Sequence, residues 1–234
     1  MARWEIAETR RLIELRHGPA QLHLARYCLR SATDRQAHAR YHFQEAKKIL
    51  AEHIDARLDT QSIYDLTWPT DPESWGELTH CLMKAEANII ACAQCVHSLG
   101  DILAHVVYYG LGLNLQPRVL RERDVSLSNV HQKVSGNLLF AEVAGSLAAL
   151  ASDDSYKSLD AVVNHSKHRG LVGQTLSVEP TGSNEPYALE FGAFSYRDIA
   201  YAGSEVQNIL APAYEMVSRA VVATGNALNR ALLV

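Results

Sequence analysis

Apolar positions recur along most of this chain at three- and four-residue steps, the period of a helix that buries one face. The clearest run is Leu78, Leu82, Ala85, Ile89, Cys92, Val96, Leu99, Leu103, Val106 and Gly110. Its steps alternate four and three without a break, so one seam faces a neighbour along the whole length. Such a helix is the spine of a bundle or of a dimer. Ser74 with Glu77 reads as its capping box, and Gly110, Gly112 and Asn114 end it.

The same period places a first helix over Trp4 to Arg16, ended by Gly18-Pro19, and a second from Pro19 to Arg30. Thr33 with Gln36 predicts a further start, and the stripe Ala39, Phe43, Ala46, Leu50, Ile54 and Leu58 carries that third helix to Leu58. Residues 59–73, with Trp68-Pro69 and Asp71-Pro72, read as a loop. Residues 116–134 mix charge with Ser and Asn and give no clear period. Helices follow near 135–151 and 154–169, the second ended by Gly170. Alternation then marks two strands, Leu171 to Glu179 and Tyr187 to Tyr196, around a turn at 180–186. A last helix from about Ser195 to Val234 carries Ile199, Val206, Leu210, Val217, Val221, Leu228 and Leu232, with Pro212 inside it. The pattern predicts a predominantly all-α fold: one long-helix bundle over residues 1–234, with a β-hairpin inserted near 171–195.

Composition supports a folded chain. Of 234 residues, 47% are hydrophobic and 21% charged, close to globular averages. The net charge of −4 argues against strong global attraction to nucleic acid or an anionic membrane. Residues 1–58 lean the other way, with eleven Arg or Lys against seven Asp or Glu. The first residues hold no signal-peptide core, and Gln94, His97, Asp101 and His105 interrupt the most apolar stretch, so the expected location is cytoplasmic with no membrane partner. Cys92 and Cys95 form a CxxC, but no second pair exists and Val96 stands where haem attachment needs His. Core packing is the expected role of these thiols.

Two polar groups of residues stand out. On the spine, His97, Asp101 and His105 lie one turn apart on a stripe away from the seam, and His38, His42 and Glu45 make a similar run on the preceding helix. Facing one another, the two runs would supply imidazoles and carboxylates for a divalent transition metal. Histidines flanking a helix, with Asp101 accepting a hydrogen bond from one of them, account for the same pattern. The second group is Asn164-His165-Ser166-Lys167-His168-Arg169 at a helix end. Cations there are favoured by the helix dipole. Read functionally, Asn164, Lys167 and Arg169 bind an anion while His168 handles a proton.

The spine sequence His97-Ser-Leu-Gly-Asp101-Ile-Leu-Ala-His105, and Asn164 to Arg169 followed by Leu171-Val172, resemble the HEPN-like superfamily of prokaryotic helical bundles. The hairpin and long final helix fit the same pattern over roughly residues 35–230. The resemblance implies a bundle, often dimeric, and in some members a metal-independent ribonuclease of a defence or toxin system. Active members carry an Arg followed by a His after four to six residues. Here Arg10 and Arg11 precede His17, Arg16 precedes His23, and Arg35 precedes His42. None lies near the start of the final helix, where the family usually places the motif, and Arg35–His42 alone lies within one expected helix.

The expected function is therefore binding of RNA or a nucleotide at Asn164, Lys167 and Arg169, with His168 or the Arg35–His42 pair as acid and base in any cleavage. No cofactor is needed, and self-association through the spine seam is expected. Two alternatives stand beside it: a metal-binding helical enzyme using His38, His42, Glu45, His97, Asp101 and His105, and a non-catalytic dimeric interaction module.

Overall fold

The structure is a computed structural model describing residues 3–178 and 186–234. It is predominantly α-helical, at 74% of the chain. The helices are α1 (Ile6–His17), α2 (Pro19–His53), α3 (Ile63–Thr67), α4 (Pro72–Gly110), α5 (Leu127–Val134), α6 (Ala141–Ser152), α7 (Asp154–His168) and α8 (Val206–Leu233). Between α7 and α8 the described residues form five short strands: β1 (Gln174–Val178), β2 (Tyr187–Phe191), β3 (Phe194–Tyr196), β4 (Ile199–Tyr201) and β5 (Ser204–Glu205).

The chain divides into two compact units, each assembled from segments remote in sequence. The first takes the chain up to Ala37, Cys95–Lys157 and Pro212–Val234. The second takes His38–Gln94 and the described part of Ser158–Ala211. The long helices α2, α4, α7 and α8 each contribute a stretch to both.

In the first unit, α1 stops at Gly18, whose φ of +84° lets its N–H reach back to the Glu14 carbonyl at 2.8 Å. Pro19 then opens α2, where a missing N–H costs nothing. Gln21, almost fully buried, joins α2 to the end of α4: its amide donates to the Tyr109 carbonyl (2.6 Å) and to Asn114 Oδ1 (2.7 Å), and Asn114 Nδ2 donates back to Gln21 Oε1 (3.0 Å). The stretch after α4 is held by buried Tyr108, whose hydroxyl accepts from Leu120 N at 3.0 Å. It leads into α5, which packs against α6. At α6, Ser146 meets Thr224 of α8 at 2.9 Å, and Glu142 accepts from Arg230.

The spine seam is core. Leu99, Leu103 and Val106 are fully buried in the first unit, and Leu78, Ala85 and Ile89 are buried in the second. α4 is also the one helix among the described residues long and apolar enough to cross a membrane, yet 61% of its most apolar window is buried within the chain. Cys81, Cys92 and Cys95 are buried free thiols, as packing residues should be.

Several boundaries differ from the expected ones. The second and third helices are one, 35 residues long. Thr33 starts nothing: its hydroxyl donates to the Arg30 carbonyl inside the helix, and Gln36 donates to Ser218 instead of reaching back. No Gly or Pro interrupts this stretch, and Leu29 and Ala32 are fully buried. Asp71 rather than Ser74 caps α4, with Oδ1 accepting from Ser74 N at 2.9 Å and Pro72 in the first turn. The expected loop holds α3, capped by Ser62.

The β layer belongs wholly to the second unit. β2 is the centre of an antiparallel sheet ordered β1-β2-β5, with Leu176 opposite Leu189 and Gln174 opposite Phe191. Leu189 and Phe191 alternate into the core. The strand expected to run from Tyr187 to Tyr196 breaks at Gly192, whose N–H turns to the Gly173 carbonyl (2.8 Å). β3 then leaves the sheet and pairs with β4, so α8 begins at Val206 and not near Ser195. The expected turn at 180–186 lies, apart from Pro186, outside the described residues, as does Glu179.

Candidate functional site

In the second unit α7 ends with its apolar face down. Leu159, Ala161, Val162 and Val163 are buried, which leaves Lys167, His168 and Arg169 exposed. The helix closes when the N–H groups of Arg169 and Gly170 both turn to the His165 carbonyl, at 2.9 and 3.2 Å. Asn164 is turned back on its own helix, with Nδ2 donating to Asp160 Oδ1 at 2.8 Å. Of the three expected ligand residues, Lys167 and Arg169 are therefore presented to solvent and Asn164 is held by a neighbour.

His165 is the ordered imidazole here. Its Nδ1 lies 2.9 Å from the Gly170 carbonyl, which can only accept, so Nδ1 is the donor of this bond. The ring meets Phe194 edge-on, centroids 5.3 Å apart, and Phe194 in turn stacks on Tyr201 at 4.9 Å with planes within 7°. Both aromatics belong to the β3–β4 hairpin. Its two-residue turn is Arg197-Asp198, each with positive φ (+50° and +63°), as the favoured two-residue hairpin turn requires. The Arg197 guanidinium lies 5.0 Å from the centre of the Tyr196 ring.

Electrostatically this end is cationic. The C-terminal end of a helix carries roughly half a negative charge, against the full charges of Lys167 and Arg169. Neither makes an ion pair among the described residues, whereas Lys157 earlier on the same helix is paired with Asp154. Cations and aromatic faces together can hold a planar, anionic ligand. The sequence displayed the cations but not the His165 ring held by the Gly170 carbonyl, nor Phe194, Tyr196, Arg197 and Tyr201 beside it. Their signal was the aromatic spacing in Phe-Ser-Tyr-Arg-Asp-Ile-Ala-Tyr, which the expected start of the last helix concealed.

The remaining candidates are engaged separately. Arg35 donates to Cys95 Sγ at 3.6 Å within the first unit, while His42 Nδ1 meets Asn88 Oδ1 at 2.9 Å within the second. In the first unit His97 stacks flat on Tyr156 (5.9 Å), and His105 Nδ1 bonds the Asp101 carbonyl one turn back (2.8 Å). Asp101 Oδ1 accepts from Leu127 N at 3.0 Å, so its carboxylate caps the start of α5. His38 and Glu45 lie on α2 in the second unit. Among the described residues, no group of three or more His, Cys, Asp or Glu side chains stands where it could hold a metal ion. No family model, curated protein or solved structure matches this chain.

Proposed function

We propose that this chain is a HEPN-like helical protein that binds single-stranded RNA at the end of α7. The observation that carries the reading is the exposed Lys167 and Arg169, in no ion pair among the described residues, at the end of the helix whose His165 meets the stacked Phe194 and Tyr201. Cations track phosphates and aromatic rings accept unstacked bases, and their combination distinguishes a single-strand surface from a patch of solvated charge. Bases inside a duplex expose no face to stack on. His165, whose ring is held by its Nδ1 bond to the Gly170 carbonyl, is the group best placed to take a proton from a ribose 2′-hydroxyl if cleavage follows binding, with Lys167 or Arg169 stabilising charge on the phosphate. On this reading the base is His165 in preference to His168 or the Arg35–His42 pair.

Fluorescence anisotropy with a short single-stranded RNA at about 50 mM salt tests the binding. Replacing Lys167 and Arg169 together by Ala should weaken it at least fivefold. The log affinity should also fall less steeply with log salt, the slope easing by about 1.4 for two lost phosphate contacts on a single strand. No binding at low salt, or binding indifferent to both replacements, would end this reading.

A further inference from the structure

The connection from α2 to α4 borders a second, separate cleft in the second unit, open to solvent. It is a polar cavity of about 550 Å3, within the range of small-molecule sites. Its walls come from the end of α2, the turn after it, α3, the residues between α3 and α4, and the first turns of α4.

The charges on those walls are already committed. Arg57 bonds Glu77 at 3.2 Å. Asp65 accepts from the Ser62 hydroxyl at 3.0 Å in the first turn of α3, and Asp71 accepts from Ser74 N as it caps α4. A carboxylate in such a position is balanced by the exposed N–H groups of the helix start. Burial, and then the nearby Arg57 charge, lower the His53 pKa from 6.5, so this imidazole is neutral near pH 7.

Neutral hydrogen-bonding groups are what the cavity has left to offer. Gln61, Thr70, His53 and Trp68 all line it, and no side-chain hydrogen bond joins any of them to another described residue. Trp68 is 55% exposed, and its ring is steadied by stacking on Tyr64, 6.0 Å away with planes within 22°. A large apolar ring left in water beside open donors and acceptors suits a ligand with an apolar face and a polar rim. A phosphate would meet Asp65 and Asp71, with Glu77 and the one guanidinium paired to each other. A polyamine would meet carboxylates already bonded at helix starts.

We propose that this cavity binds a neutral polyhydroxylated ligand of monosaccharide size, its hydroxyls on Gln61, Thr70 and His53 and its C–H face on Trp68. The test is saturation-transfer NMR on the full chain with glucose, galactose, mannose, ribose and myo-inositol, and with inorganic phosphate and spermidine as counter-probes. At least one of the five polyols should receive saturation, and its Kd should rise at least fivefold in Trp68→Ala and in Gln61→Ala. Both residues are exposed, so the helical circular dichroism and melting temperature of each variant should match the parent. Lys167→Ala should leave polyol binding unchanged. The proposal is overturned if no polyol receives saturation, if the two variants bind as the parent does, or if phosphate or spermidine displaces the polyol.

Discussion

Gly225 leaves the α8 backbone bare where the Trp4 indole lies, and a Cβ placed there would stand 2.1 Å from the ring. The indole cannot easily give way. Its N–H donates to Thr9 Oγ1 at 2.7 Å, and that hydroxyl donates on to Asn229 Oδ1 at 2.6 Å, in a pocket where Thr9 is fully buried. Ala is the better helix former by about 1 kcal/mol, but overpacking costs about 1–3 kcal/mol, and here the ring would have to break a buried bond as it moves. Gly225→Ala should therefore lower the melting temperature, and a rise would show that the indole can slide aside. Nothing near Gly225 in the sequence announces this contact, because the ring it accommodates comes from the opposite end of the chain.

Histidine gives the residue scale its pH dependence. His17 Nε2 is buried without a partner among the described residues, and its ring sits against Gly112, where a Cβ would lie 2.8 Å away. Burial first, and the Arg16 charge second, lower its pKa from 6.5. The unfolded chain then binds more protons below about pH 6.5, so this contribution to stability is complete above that value and is lost as pH falls toward the folded pKa. His53 shifts in the same direction. Melting temperature should drop between about pH 7.5 and about pH 5.5, and His17→Gln should flatten that slope. A parent curve level over this range would contradict it.

At the scale of elements, what the sequence displayed best was α4, since its seam repeats for nine consecutive steps and almost every position proves buried. Its cover was less legible. The seam admits a second copy of the chain as readily as the chain's own helices, yet Leu99 and Leu103 have no surface left for a partner. Leu103→Ala should cost about 2–5 kcal/mol, the toll of a cavity in a packed core, with the mass in solution unchanged. Loss of an oligomer without loss of stability would reverse that reading. Helix boundaries were misjudged where a capping pair competed with good helix formers, as at Thr33 and Gln36, because a Thr inside a helix can satisfy its hydroxyl on the preceding turn. The β3–β4 hairpin was hidden for a different reason. Its turn uses Arg197 and Asp198 rather than glycine, so the usual sign of positive φ is missing.

For the molecule as a whole, a predominantly α-helical bundle could be read from periodicity alone, but the division into two units could not. No linker or shift of composition marks the joins at Ala37, Gln94, Lys157 and Ala211, because each falls inside a continuous helix. The candidate RNA surface was half legible for a similar reason. Lys167, His168 and Arg169 are neighbours in sequence, whereas Phe194 and Tyr201 reach His165 only through the fold.

The interleaving of the units sets an order on the ribosome. The second unit has all its segments once Ala211 has emerged, but the first still lacks Pro212–Val234, which carries Val217, Val221 and Leu228 of its core. Until α8 is finished, the upper half of α4 and the buried face of α6 have no cover from it. A nascent chain therefore waits with apolar side chains in water, the kind of surface that is prone to aggregate before folding is complete.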